Sequence, residues 1–215
     1  MWKSALNLFL KTNCPLCDRV AEGILCRYCD RQLRGYQLAQ PAKYWEGDLP
    51  LFAWGRYEGA VKQSIGKLKY DGYRDIGFWL GELLADSWQE FLPPQIPDKL
   101  TIIPIPLHAE KLKARGFNQA ELIARRFGQI TGYRLDLSLH RTRATAAQFG
   151  LSKGDRESNL VNAFAIAPNS RLHAGTKVLL VDDIYTTGAT ARSAVTALQS
   201  QGVEVCGTIV VATGK

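Results

Sequence analysis

Apolar positions along this chain fall into short runs and helical spacings that alternate with one another. Leu51 to Tyr57 alternates well enough for a strand. Ala60 to Tyr70 has helical spacing, with Val61, Ile65 and Leu68 on one face and lysines on the other. Asp71-Gly72-Tyr73 reads as a turn, and Ile76 to Phe91 as a second helix closed by Pro93-Pro94. Leu100 to Ile105 is an apolar strand, Glu110 to Ile130 is largely helical, and Arg134 to Leu139 is a strand. Arg141 to Glu157 is polar, has no period, and is long for a structureless loop. Phe164 to Ala167 is a short strand, Val178 to Val181 a buried parallel strand, Ala189 to Leu198 a helix, and Val203 to Val211 a last strand. Strands that alternate with helices predict an α/β fold, a parallel sheet flanked by helices. Ligands in such sheets bind outside the carboxyl ends of the strands.

The densest chemistry follows the strand at Val178. Asp182 and Asp183 are adjacent acids, and Thr186, Thr187, Gly188, Ala189 and Thr190 form a small hydroxyl-rich loop that opens onto a helix. Amides at a helix start point at anions, and the helix dipole favours negative charge there. Threonine hydroxyls add donors, and glycine lets the backbone approach closely. Two acids just upstream suit vicinal sugar hydroxyls, so the segment fits a ribose 5-phosphate. The competing reading is an ordinary strand–turn–helix junction with a threonine cap.

Cysteines add a second feature. Cys14-Pro15-Leu16-Cys17 and Cys26-Arg27-Tyr28-Cys29 are two C-x-x-C pairs, a spacing that predicts a closed tetrahedral zinc site. Residues 1–40 therefore read as a four-cysteine zinc module, too short to bury much core without its metal. The polar stretch Gln40-Pro41-Ala42-Lys43 reads as a linker, and residues 50–215 as the second domain. Because the two patterns are separate, loss of one cysteine is expected to loosen the first and leave the second folded. Cys206 lies in an apolar run and reads as a small buried hydrophobe.

The 215 residues carry 27 Lys and Arg against 20 Asp and Glu, a net charge of +7, which suits phosphate or nucleic-acid ligands. The basic residues cluster at Lys62, Lys67 and Lys69, at Lys111, Lys113 and Arg115, and at Arg141 and Arg143. No run of about 18 apolar residues exists, so no membrane span is expected. Ala5 to Leu10 is too short for a secretory core and reads as an amphipathic lead-in, which makes the chain cytoplasmic by expectation.

The segment Val178 to Thr190, VLLVDDIYTTGAT, resembles the 5-phosphoribosyl 1-pyrophosphate (PRPP) signature of type I phosphoribosyltransferases. That resemblance implies a type I phosphoribosyltransferase-like sheet with a zinc-ribbon-like module before it. It assigns Asp182 and Asp183 to the ribose hydroxyls, Thr186 to Thr190 to the 5-phosphate, and magnesium to the bound PRPP. It also places a pyrophosphate loop after Ile103-Pro104-Ile105-Pro106-Leu107-His108, and a mobile lid over Arg141 to Glu157. The residues taken for these are Leu107, His108, Arg115, Arg141, Arg143 and Arg156; on their own they read equally as a prolyl turn, a solvated helix face and an insert. The cysteine module, Leu68-Lys69-Tyr70, Arg115-Gly116-Phe117-Asn118-Gln119, the Arg141, Gln148, Leu151, Arg156, Asn159 spacing and VDDIYTTGAT together resemble the ComF/GntX family. That family is tied to competence for DNA uptake, which implies a PRPP-binding protein with single-stranded DNA and a DNA-translocation protein as partners. The other reading is an active phosphoribosyltransferase in nucleotide salvage or metabolism. No element for reading a nucleobase is found, and no catalytic residue is assigned: the histidines His108, His140 and His173 are scattered.

Overall fold

A computed structural model describes residues 12–142 and 163–214. The lead-in Ala5 to Leu10, and Arg143, Gln148, Leu151, Arg156 and Asn159, lie outside the described residues. Strands β1 (Thr12–Asn13) and β2 (Val20–Ala21) pair antiparallel, and helix α1 (Arg27–Arg34) follows. The body continues with β3 (Leu51–Arg56), α2 (Gly59–Tyr70), α3 (Arg74–Glu90), β4 (Thr101–Pro104), α4 (Ala109–Arg115), α5 (Gln119–Thr131) and β5 (Arg134–Leu135). Next come β6 (Leu139–Arg141), β7 (Phe164–Ile166), β8 (Lys177–Tyr185), α6 (Ala189–Gln199) and β9 (Glu204–Thr213). Among the described residues, five strands form a parallel sheet in the order β3-β9-β8-β4-β5, the flanked parallel sheet that the alternating pattern predicts. Strands β6 and β7 pair antiparallel by themselves.

The sheet is apolar on both faces. One face carries Leu179, Val181, Ile209 and Val211, packed in one cluster with Val61, Ile65 and Leu68 of α2, Leu80, Leu84 and Trp88 of α3, and Ile123 and Phe127 of α5. Trp88 stands edge-on to Phe52 at 5.1 Å and to Phe127 at 6.1 Å. Helix α6 covers the other face, where Ala194 and Leu198 pack with Val178, Leu180 and Ile103. Helices α3 and α5 approach closely because α3 carries glycine at the crossing: a Cβ on Gly81 would lie 2.5 Å from the Ile123 carbonyl oxygen.

Three elements differ from the pattern reading, each for a local reason. The expected helix Glu110 to Ile130 is two helices. Gly116 ends α4 in the left-handed region at φ 77°, and Asn118 caps α5 by accepting from the Ala120 amide at 3.1 Å. The expected strand Arg134 to Leu139 is split: the Asp136 amide still donates to Ile102, but its carboxylate accepts from the Ser138 amide at 2.9 Å, and this turn sends β6 away from the sheet. The stretch read as a linker, Gln40 to Lys43, and the residues just before it lie along β3. Leu38 N donates to Trp54 O (2.9 Å), Arg56 N to Tyr36 O (2.9 Å) and Ala53 N to Pro41 O (3.0 Å). These bonds satisfy an edge that would otherwise expose its backbone.

Candidate functional site

Strand β8 does not stop at Val181. It runs through both acids to Tyr185, so Asp182 and Asp183 sit at its carboxyl end, paired to β9 as far as Thr213. Side chains alternate along a strand, so the two carboxylates leave opposite faces. Asp183 is 3% exposed and meets α2 and α5: Gln119 Nε2 donates to its Oδ1 at 3.1 Å, and Lys69 Nζ forms an ion pair with its Oδ2. Asp182 is half-buried on the side of the hydroxyl loop, lining a cleft of about 40 Å³ with Thr186, Thr187, Gly188, Thr190 and Thr208. Its Oδ1 accepts from the Asp183 amide at 2.8 Å.

The two acids hold protons differently. Burial, and then the neighbouring Asp183 carboxylate, raise Asp182 well above the usual carboxylate range. Burial pushes Asp183 up as well, but the Lys69 charge and the hydrogen bonding of Lys69 and Gln119 to its carboxylate outweigh it and hold Asp183 low. The pair therefore shares charge unequally, with Asp183 the committed carboxylate.

Beyond Tyr185 the chain turns through Thr186 and Thr187, both exposed, into Gly188 at φ 77°. Only glycine fits there: a Cβ would lie 2.1 Å from Tyr185 Oη and 2.9 Å from Arg192 Nη1. Gly188 is also the N-cap of α6 and has no side chain to satisfy the first-turn amides. Thr187 Oγ1 accepts from the Ala189 amide only at a long 3.4 Å. The first-turn amides of this helix therefore lack a side-chain cap from its N-cap residue, which leaves donors at the end of the cleft.

Cations gather opposite. After β4, Ile105 N donates to Val181 O at 2.8 Å, which ties the segment Pro106, Leu107, His108 to the end of β8. His108 Nδ1 accepts from Glu110 N to cap α4, and His108 is bridged to Arg141. Asn118 Nδ2 holds Ile105 O at 3.0 Å, fixing the start of α5 so that Gln119 reaches Asp183. Arg115 donates to Gln119 Oε1 and lies over the Tyr70 ring at 5.9 Å. Lys111 has its charge disfavoured first by burial and then by Arg141, Arg115 and Lys69. Arg141 is electrostatically coupled to Asp182. Arg141 thus interacts with Asp182 and Arg115 reaches Asp183 through Gln119, while His108 meets Arg141 and not the acids; Arg143 and Arg156 lie outside the described residues.

Lys69 and Gln119 meet the acid pair here and were given no role from sequence: they were named only inside the motifs Leu68-Lys69-Tyr70 and Arg115-Gly116-Phe117-Asn118-Gln119 that carry the family resemblance. Nothing in the helical pattern separates Lys69 from Lys62 and Lys67 on the polar face of α2.

The cysteine cluster lies elsewhere. The first pair sits in the β1–β2 turn, where Cys14 N donates to Arg19 O and Asp18 takes a left-handed φ of 61°. The second pair opens α1, with Cys26 as its N-cap. The ligand atoms of Cys14, Cys17, Cys26 and Cys29 lie within 4.8 Å of one another. A tetrahedral zinc with Zn–S of about 2.3 Å sets sulfurs about 3.8 Å apart, so the cluster fits a metal such as zinc. A backbone hydrogen bond from Cys29 brings the Cys26 thiol down to about 7, with burial opposing and the neighbouring thiols adding to it.

The phosphoribosyl transferase domain family matches residues 112–215. Competence protein F of Haemophilus influenzae is 38% identical over 104 residues, 48% of this chain and 45% of that protein. Competence protein ComFC of Bacillus subtilis is 27% identical over 188 residues, 84% of this chain and 73% of that protein. The chain is similar to these ComF-type competence proteins. It spans less than half the length of the Haemophilus relative. Among solved structures, adenine phosphoribosyltransferase from Thermoanaerobacter pseudethanolicus is similar over 66% of this chain and 70% of that one, at 16% identity and a TM-score of 0.38. The domain match takes in Arg115, Gln119, Arg141, both acids and the hydroxyl loop. It begins after Lys69 and after the four cysteines, so one partner of Asp183 comes from outside the matched region.

Proposed function

We propose that this chain is a ComF-family protein that binds PRPP at the carboxyl end of β8 and supports DNA uptake. The observation that carries the reading is the convergence on Asp182 and Asp183 of an anion-ready helix start at Gly188 and a group of cations, Lys69, Lys111, Arg115 and Arg141. A ribose flanked by a 5-phosphate and a pyrophosphate has that order of charges: hydroxyls for the acids, one phosphate for the loop, several negative charges for the cations. Magnesium belongs to this reading as the counter-ion of the ligand's phosphates. The DNA-uptake role rests on the names of the relatives, competence protein F and ComFC. Single-stranded DNA and a translocation protein are the partners it implies.

Isothermal titration with PRPP and magnesium tests the reading. Thr187→Val keeps volume and charge and deletes one donor from the loop. With hydrogen bonds to charged groups worth roughly 1.5–3 kcal/mol, its PRPP affinity should fall about tenfold or more. Parental affinity in a folded variant means the loop is a structural turn. Pyrophosphate release in the presence of bases or DNA separates a transferase from a binding module; a transferase needs little covalent chemistry from the protein, since positioning and charge stabilisation carry the step.

A further inference from the structure

In the unliganded site, both oxygens of Asp183 are already taken. Oδ1 accepts from Gln119 and Oδ2 is paired with Lys69. Each oxygen keeps a second lone pair, but the Asp183 side chain is only 4% exposed beneath these partners, so a sugar hydroxyl reaches it only if one of them moves. Gln119 is held from two sides, by Arg115 through its Oε1 and by the Asn118 cap that fixes the start of α5. Lys69 is different. It sits on the last turn of α2, beside the 80% exposed Tyr70, and carries a point charge on a four-carbon stem that can swing. Its side chain is 17% exposed and that of Asp183 is 4% exposed. A buried ion pair of this kind returns little net stability, because desolvating both charges offsets their attraction. Lys111, Arg115 and Arg141 crowd the same space, and Lys111 already feels the repulsion of the other cations. Four cations thus gather around two acids, and burial disfavours the charge on one of those acids, Asp182.

We propose that Lys69 is a positioning residue that changes partner: it neutralises Asp183 in the empty site and transfers to the ligand's pyrophosphate when PRPP binds. This rests on the PRPP reading and names a residue outside the matched phosphoribosyl transferase region. Transfer frees Asp183 Oδ2 for a ribose hydroxyl and supplies a cation to the pyrophosphate in one motion. It also gives selectivity. A ligand with a ribose and 5-phosphate but no pyrophosphate can take the acids only by stranding Lys69 among like charges.

The test compares two ligands, PRPP and ribose 5-phosphate, each with magnesium, on the parent, Lys69→Arg and Lys69→Met. Titration gives affinities, and thermal unfolding confirms that each variant is folded. The parent should prefer PRPP. In Lys69→Met, PRPP affinity should drop by about tenfold or more, as expected for a lost charge-assisted contact. Ribose 5-phosphate affinity should hold or rise, so the preference collapses. Lys69→Arg should restore part of it. Equal losses for both ligands mean that Lys69 only holds Asp183 in place, and the transfer is wrong. Parental affinities in folded Lys69→Met also overturn it. No PRPP binding by the parent overturns the PRPP reading itself. If Lys69→Met unfolds, the ligand preference of Lys69→Arg decides, since a moved charge on a longer fork alters the PRPP ratio only if it reaches the pyrophosphate.

Discussion

Asp182 and Asp183 are neighbours in the chain and opposites in environment. The carboxylate of Asp183 is held low against burial by Lys69 and Gln119, so it contributes stability that is present above the unfolded carboxylate range and lost as pH falls through its own lowered range. Asp182 runs the other way: burial and the adjacent carboxylate raise it, so its ionisation as pH rises costs folding free energy. A ribose hydroxyl donates to a carboxylate, so binding favours ionised Asp182. PRPP affinity should therefore weaken as pH drops through the raised range of Asp182, and titrations in buffers of different ionisation heat should show proton release on binding. Asp182→Asn should abolish that release; release that persists in the variant assigns it to another group. Gly188 offers a second test at this scale. Gly188→Ala places a Cβ against Tyr185 Oη in a left-handed backbone, at a cost of about 1–2 kcal/mol from conformation alone. The variant should lose stability by chemical denaturation and bind PRPP more weakly. Parental stability would mean that the loop relaxes to another shape. The acids, the threonines and the glycine were legible in sequence because they are contiguous. Lys69 was visible only as part of the Leu68-Lys69-Tyr70 motif and a basic cluster; its role was not legible, because its partner lies 114 positions away and its helical spacing matches a solvated lysine's.

Helices carry the site through their ends and their crossings. The carboxyl end of α2 delivers Lys69, and the amino end of α5 delivers Gln119. The break between α4 and α5 makes the second delivery possible, since a continuous helix from Glu110 to Ile130 would not let Asn118 cap and hold Ile105. Periodicity did not place that break, because Phe117, Ala120, Ile123 and Phe127 keep a helical spacing and the segment before them offers only the exposed Leu112 to set a different one; the Gly116-Phe117-Asn118 punctuation was the available sign. Asn118→Ala should cost about 0.5–2 kcal/mol as a lost cap and weaken PRPP binding through Gln119, an indirect effect that Gln119→Ala should reproduce. At the α3–α5 crossing, Gly81→Ala drives a Cβ to 2.5 Å from the Ile123 carbonyl and should destabilise by roughly 1–3 kcal/mol in a urea titration. An unchanged midpoint would show that the helices separate freely, contrary to their packing around Gly81 and Gly77.

The cysteine module and the sheet share one interior. Leu33 of α1 is fully buried in the same cluster as Val61, Ile65 and Leu68 of α2, and the Tyr36 ring occupies the space where a Cβ of Gly59 would go, at the start of α2. Separate sequence patterns suggested separable parts, because cysteine spacing and strand periodicity report local chemistry and not which face covers which. With α1 packed over α2, removing a ligand such as Cys26 should lower the unfolding temperature of the whole chain, and metal analysis of the same samples should show the loss. An unchanged transition in metal-free Cys26→Ser would restore the view of an independent module. The order of the parallel strands was not legible either, although their existence and the position of the acid pair toward a strand's carboxyl end were, because pairing is set by long-range register rather than by the alternation within each strand. All of these links converge on the end of β8, where the proposed phosphoribosyl ligand would lie. The most direct measurement is an amide NMR titration of the full chain with magnesium and PRPP. The account predicts saturable shifts at Thr187, Gly188, Ala189 and Thr190 and at Asp183, with Gln119 following. Saturable shifts confined to other surfaces, or none at saturating PRPP, would contradict it.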